Sequence, residues 1–105
     1  MELQLYISQE SIDNGFAEDC GKCPLALELK KFFGDCIDTV SVTDRHAWAH
    51  TYDCHRYIEF KLRIDAERFV RQFDNQFPVF PTTVTLELTR IAENFIEMGR
   101  VPLHE

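Results

Sequence analysis

Cys20-Gly21-Lys22-Cys23-Pro24 is the stretch of this chain whose spacing invites chemistry. A CxxC can be a dithiol, half of a metal site, or a pair of packed thiols. As a redox pair it needs an exposed thiolate at a helix N-terminus, where the dipole lowers the thiol pKa. Here Cys23, rather than Cys20, directly precedes Pro24 and the helix it starts. A thioredoxin-like site also expects a preceding parallel βαβ pattern, and a turn at Gly15 separates the first strand from the motif. As a zinc site, Cys20 and Cys23 supply two of four tetrahedral ligands. Cys36, or Cys54 with His55, would supply the rest. Cys54 and His55 are adjacent, and adjacent residues on a strand point to opposite faces. The remaining reading is structural, because a buried free cysteine packs as a small apolar residue. Four free thiols suit a reducing compartment.

A second constellation is His46, Trp48, His50, with Tyr57 beyond it. On a strand, these first three share one face, which would suit a ligand groove or a partner surface. On such a strand His46 and His50 would lie ~13 Å apart, too far to share one ion. For nucleophilic or phosphate chemistry the sequence offers no GxSxG elbow, no GxxxxGK[ST] loop and no GxGxxG. The expectation is a protein that is not an enzyme, with thiol-redox activity as the least favoured alternative.

Size and charge narrow the classes further. At 105 residues this is one domain, 1–105, with a modest core. Net charge is −7, which argues against direct nucleic-acid binding, since phosphates need a basic footprint. The acids are dispersed along the chain. There is no apolar run of roughly 20 residues to span a membrane. The N-terminus lacks the basic and apolar regions of a secretory signal, so a cytoplasmic location is expected.

The elements that must position these groups follow from periodicity. Leu3, Leu5 and Ile7 alternate with polar residues as a first strand. Gln9 to Phe16 forms a short turn or helical turn, with Ser8 or Ser11 as cap and Gly15 as stop. Pro24 opens a helix. Its stripe is Leu25, Leu29, Phe32 and Phe33, and Gly34 ends it. Thr39 to Thr43 is a β-branched strand. Ala47, Ala49 and Thr51 face one way on its hairpin partner, opposite His46, Trp48 and His50. Ile58, Phe60, Leu62 and Ile64 alternate with Tyr57, Glu59, Lys61 and Arg63, giving a strand with one wet face. Asp65 then caps a helix bearing Ala66, Phe69, Val70 and Phe73. Pro78 and Pro81 mark a loop, and Val84, Leu86 and Leu88 a last strand. Ile91, Phe95 and Met98 predict a C-terminal helix and tail over 90–105, whose Ile91, Phe95, Ile96 and Met98 stripe packs on its own domain or on a second copy. The expected fold class is α+β: a mostly antiparallel sheet of four or five strands, with two or three helices on one face.

Cys20-Gly21-Lys22-Cys23-Pro24-Leu25-Ala26-Leu27, with Ile12 and Gly15 upstream, resembles a helix-start motif of small uncharacterised bacteriophage and prophage proteins. The resemblance covers most of the chain: the first strand, the hairpin, the Phe-rich helix ending near Phe73-Asp74, and the strand over Val84 to Leu88. It implies an α+β fold and a mobile-element origin, and carries no catalytic residues. By analogy with phage proteins that bind and block a host protein, it implies a protein-binding module, with a host factor or defence system as the target. His46, Trp48, His50 and Tyr57 are the expected contact residues, in a monomer or homodimer without cofactor. The alternative is a zinc-stabilised domain anchored by Cys20 and Cys23.

Overall fold

The structure, a computed structural model, describes residues 1–51 and 56–93. Alternating strands and two amphipathic helices build one open sheet with a helical cover. The order is β1 (Glu2–Ile7), α1 (Gln9–Asn14), α2 (Pro24–Phe33), a 3₁₀ turn (Gly34–Cys36), β2 (Ile37–Val42), β3 (His46–Thr51), β4 (Arg56–Leu62), α3 (Ile64–Asp74) and β5 (Thr82–Glu93). The sheet has five strands in the order β1-β5-β4-β3-β2, and every neighbouring pair is antiparallel. This is the α+β class that the periodicities predict.

One face of the sheet makes the core. Leu5, Ile7, Ile37, Val40, Val42, Ala47, Ala49, Phe60, Leu62, Val84 and Leu86 are buried there, in one cluster with Leu25, Ala26 and Leu29 of α2 and Ala66, Phe69 and Val70 of α3. The alanines of β3 matter: small side chains at 47 and 49 let α2 approach the sheet. α2 lies across β1, β2 and β3, and α3 against β4 and β5.

Local chemistry explains the helix ends. Ser8 caps α1, its hydroxyl accepting from Ser11 N–H at 3.2 Å. α2 starts at Pro24 and stops at Gly34, whose φ of +68° is cheap only for glycine. A Cβ at Gly15 would sit 2.8 Å from Pro24 Cδ, so glycine there lets the chain close against the start of α2.

Four sequence expectations are corrected. Phe32 belongs to the stripe of α2 by spacing, yet it is 56% exposed, and Ala26 takes the buried place. Ile64 does not extend β4; it is the first residue of α3 and exposed. Asp65 is not the cap of α3. Arg63 holds that position, and the Asp65 carboxylate instead accepts from Ala66 N–H (2.7 Å), Thr85 N–H (3.1 Å) and the Thr85 hydroxyl (3.0 Å), tying α3 to β5. Residues 90–93 are strand, not the start of a helix: β5 runs on to Glu93, with Ile91 opposite Ile58 and Glu93 opposite Arg56. The rest of the expected C-terminal helix, with Phe95, Ile96 and Met98, lies outside the described residues.

Candidate functional site

The face of the sheet turned away from the helices is built by β3 and β4 in strict register. His46 pairs with Lys61, Trp48 with Glu59, and His50 with Tyr57. Directly opposed side chains on one face of an antiparallel pair are close enough to interact, and the Trp48–Glu59 and His50–Tyr57 pairs do. The His46 and Trp48 rings are stacked, with centroids 5.7 Å apart. The Trp48 indole Nε1–H donates to Glu59 Oε2 at 2.9 Å, and the other end of that carboxylate accepts from the Thr89 hydroxyl at 3.2 Å. His50 and Tyr57 have ring centroids 5.7 Å apart. Ser41 and Thr39 of β2 flank Trp48 and His50.

His46, Trp48 and His50 are half-buried. Tyr57 differs: it is only 8% exposed, so it walls the patch rather than presenting a surface to be touched. The sequence therefore places the imidazoles and the indole correctly on one exposed face, and overestimates the reach of Tyr57. Glu59 and Thr89, which fix the indole, escape a reading by residue type alone. Glu59 has a sequence signal, because it shares the wet face with Tyr57 and Lys61, in alternation with Ile58, Phe60 and Leu62. Its pairing with Trp48 emerges only once the β3–β4 register is known. Because β3 is a strand, His46 and His50 stand ~13 Å apart and do not converge on one ion.

The cysteines sort differently. The loop before α2 folds on Asp19, whose carbonyl accepts from Lys22 N–H (3.1 Å) and Cys23 N–H (3.0 Å), and whose carboxylate accepts from Gly21 N–H (3.0 Å). This brings Cys20 C=O onto Val42 N–H at 2.7 Å. Val42 lies on the edge strand β2, and at its other end Asp38 C=O accepts from the Lys30 ammonium. Unpaired edge groups invite aggregation, and the CxxC loop and Lys30 occupy two of them.

Cys23 is the residue that caps α2, and it is buried at 3% exposure. Burial pushes its thiol up to about 11, and the backbone N–H groups of Ala26 and Leu25 offset this only in part. A thiol held there is not a thiolate at neutral pH, which is the opposite of what a dithiol site needs. Cys20 and Cys36 are exposed. They sit at opposite ends of β2, roughly 17 Å apart along the strand. Cys36 is thus separated from the CxxC. Among the described residues no three His, Cys, Asp or Glu side chains gather as a metal-binding group. Cys54 and His55, the other zinc ligands considered, lie outside the described residues.

A direct outcome follows for the thiols. Iodoacetamide at neutral pH is expected to label Cys20 and Cys36 readily and Cys23 only after unfolding. Peptide mapping of the alkylated native protein reads this. Labelling of Cys23 in the native state, at the rate of Cys20, would contradict the buried neutral thiol.

Fold and face together define a class: a small five-stranded antiparallel α+β domain whose sheet face away from the described helices carries an anchored indole between imidazoles. In comparisons with protein-family models, curated proteins and solved structures, the chain matches none. Among the described residues, no helix is long and apolar enough to cross a membrane.

Proposed function

We propose that this chain is a protein-binding module that uses the His46–Trp48–His50 face, with a host factor or defence protein as its target and without catalysis of its own. The observation that carries the reading is the anchored indole. Trp48 is half-buried, stacked on His46 and held by Glu59 on the face turned away from the described helices. Tryptophan and tyrosine dominate the energetic centres of protein interfaces, because they give a large, rigid contact area with a polar handle. A side chain already fixed in place loses little entropy on binding. The net charge of −7 favours a basic partner, whose association would slow at higher salt. The resemblance to bacteriophage proteins supports a host protein as that partner.

Trp48→Ala is expected to weaken capture of the partner at least tenfold, with a native circular dichroism spectrum retained. His46→Ala, which removes only the stacked ring, is expected to act in the same direction more weakly. The measurement compares partners captured from host extract by wild-type and variant protein, identified by mass spectrometry. It then determines the affinity for the recovered partner. Native folding with unchanged affinity in both variants would remove this face from consideration.

A further inference from the structure

α3 carries two opposite stripes. Ala66, Phe69 and Val70 face the core. Ile64, Arg68, Arg71 and Asn75 recur at helical spacing on the other side, and all four are exposed. A cleft of about 250 Å³ lies along this second stripe, lined by Ile64 and Phe77, by Arg68 and Arg71, and by Glu67.

The way α3 stops fixes one end of the cleft. Gln76 N–H donates to Phe73 C=O at 3.0 Å and Phe77 N–H to Gln72 C=O at 2.9 Å, the paired bonds of a Schellman cap. The cap holds Gln76 at φ +63°, a left-handed conformation in which glycine is the usual residue. The residue after such a position commonly packs an apolar side chain back onto the helix. Phe77 occupies that place, yet it is 61% exposed, and Ile64 at the start of α3 is 70% exposed. A strained backbone thus holds an aromatic ring beside the cleft without burying it, and such strain collects where something binds.

The charges between the two apolar groups decide what would lie there. Arg71 is paired with Glu67 at 3.7 Å, whereas Arg68 pairs with no acid among the described residues. Two guanidiniums against one carboxylate make the cleft locally positive, in a chain of net charge −7. Screening limits the reach of exposed charges to about 8 Å at physiological salt, so the near groups outweigh the distant acids. The volume is also below the roughly 300–1,000 Å³ of small-molecule sites, which leaves room for a side chain or two rather than a cofactor.

We propose that this cleft docks a segment of a partner protein in which a large aliphatic side chain stands next to a carboxylate. The aliphatic group lies between Ile64 and Phe77, and the carboxylate meets the fork of Arg68, whose planar donors match it. α3 lies on the core side of the sheet, so this surface is separate from the Trp48 face and does not depend on it.

The probe is the blocked tetrapeptide acetyl-Glu-Leu-Leu-Asp-amide, titrated into full-length ¹³C,¹⁵N-labelled protein, with acetyl-Gln-Leu-Leu-Asn-amide as its uncharged counterpart. The Ile64 methyl, Phe77 ring and Arg68 Nε–H resonances are expected to move together and saturate at millimolar peptide. The uncharged peptide is expected to bind about two- to fivefold more weakly, the range for an exposed ion pair. Arg68→Gln should erase that difference, and Ile64→Ala should weaken both peptides, each with an otherwise native spectrum because both side chains are exposed. No saturable shift at Ile64 and Phe77, or equal binding of the two peptides to the wild type, overturns the proposal. Movement of the same resonances with protein concentration alone also overturns it, by making a second copy the occupant.

Discussion

Leu29→Ala is expected to destabilise the fold by about 2–5 kcal/mol, the range for truncating a fully buried leucine. Leu29 is 0% exposed and lies on the face of α2 that crosses β1, β2 and β3. The cluster it belongs to draws on both layers, with Leu25 and Ala26 on its own helix and Ile7, Val40, Ala47 and Leu86 on strands. A void at this position cannot be filled by one element shifting, because β1 and β2 are the two edges of one sheet and α2 spans between them. Ala47 and Ala49 of the same cluster also have no flexible side chains with which to fill it. Against a total stability of ~5–15 kcal/mol for a domain of this kind, that loss is a large fraction. With a urea slope of ~1–3 kcal/mol/M, the unfolding midpoint should fall by about 1 M or more. Ile64→Ala is the control. Ile64 looks like a core residue in sequence but is 70% exposed, so its truncation should cost within about 0.5 kcal/mol. Equal costs for the two substitutions would mean that the core is not where the structure puts it.

The contrast between Leu29 and Ile64 shows how far the sequence can be read. Periodicity identifies the strands because each has one buried and one wet face, and the face bearing His46, Trp48 and His50 is legible for that reason. It fails where a pattern outlasts its element. Ile64 continues the alternation of β4, but the backbone turns at Arg63, whose N–H goes to Thr85 C=O. β5 fails for a different reason. Phe60 pairs with Leu88 while Glu59 pairs with Arg90, so β5 carries an extra residue at Thr89. That bulge resets the phase and puts Leu88 and Ile91 on the same side at a spacing of three. With Phe95 four further on, the sequence imitates a helical stripe. Neither the bulge nor the Trp48–Glu59 contact has a local signal, because both depend on which strand lies alongside. The CxxC illustrates the reverse case. Its spacing stands out in sequence, yet the backbone of the loop does the visible work by covering the edge of β2.

Glu28→Gln should lower stability by about 1–3 kcal/mol at neutral pH, and by progressively less as the pH falls. No apolar pattern marks Glu28; it matters because of what converges on it. One carboxylate oxygen accepts from Ser8 N–H at 3.0 Å, the Ser8 hydroxyl at 2.6 Å and the Ser11 hydroxyl at 2.7 Å, with the Lys31 ammonium 3.9 Å away. Glu28 thereby ties α2 to the capped start of α1, and its side chain is only 12% exposed. Burial raises the carboxyl pKa, but the hydrogen bonds from Ser8 and Ser11 and the nearby Lys31 charge outweigh it and hold the value below the ordinary 4.5. Hydrogen bonds to a charged acceptor contribute about 1.5–3 kcal/mol each, and a buried hydroxyl left without its partner carries its own penalty. Glutamine keeps the shape and an acceptor but not the charge. Because the folded pKa is depressed, the charged form contributes stability that is complete above 4.5 and is lost as the pH falls through that value and then through the lower folded one. The gap between wild type and Glu28→Gln should therefore be widest near neutrality and close in acid. Urea unfolding of both proteins across that range isolates the effect, since every other titrating group is common to the two. A gap that stays constant with pH would assign the cost to amide packing rather than to the carboxylate, and the tie between α1 and α2 would then rest on shape instead of charge.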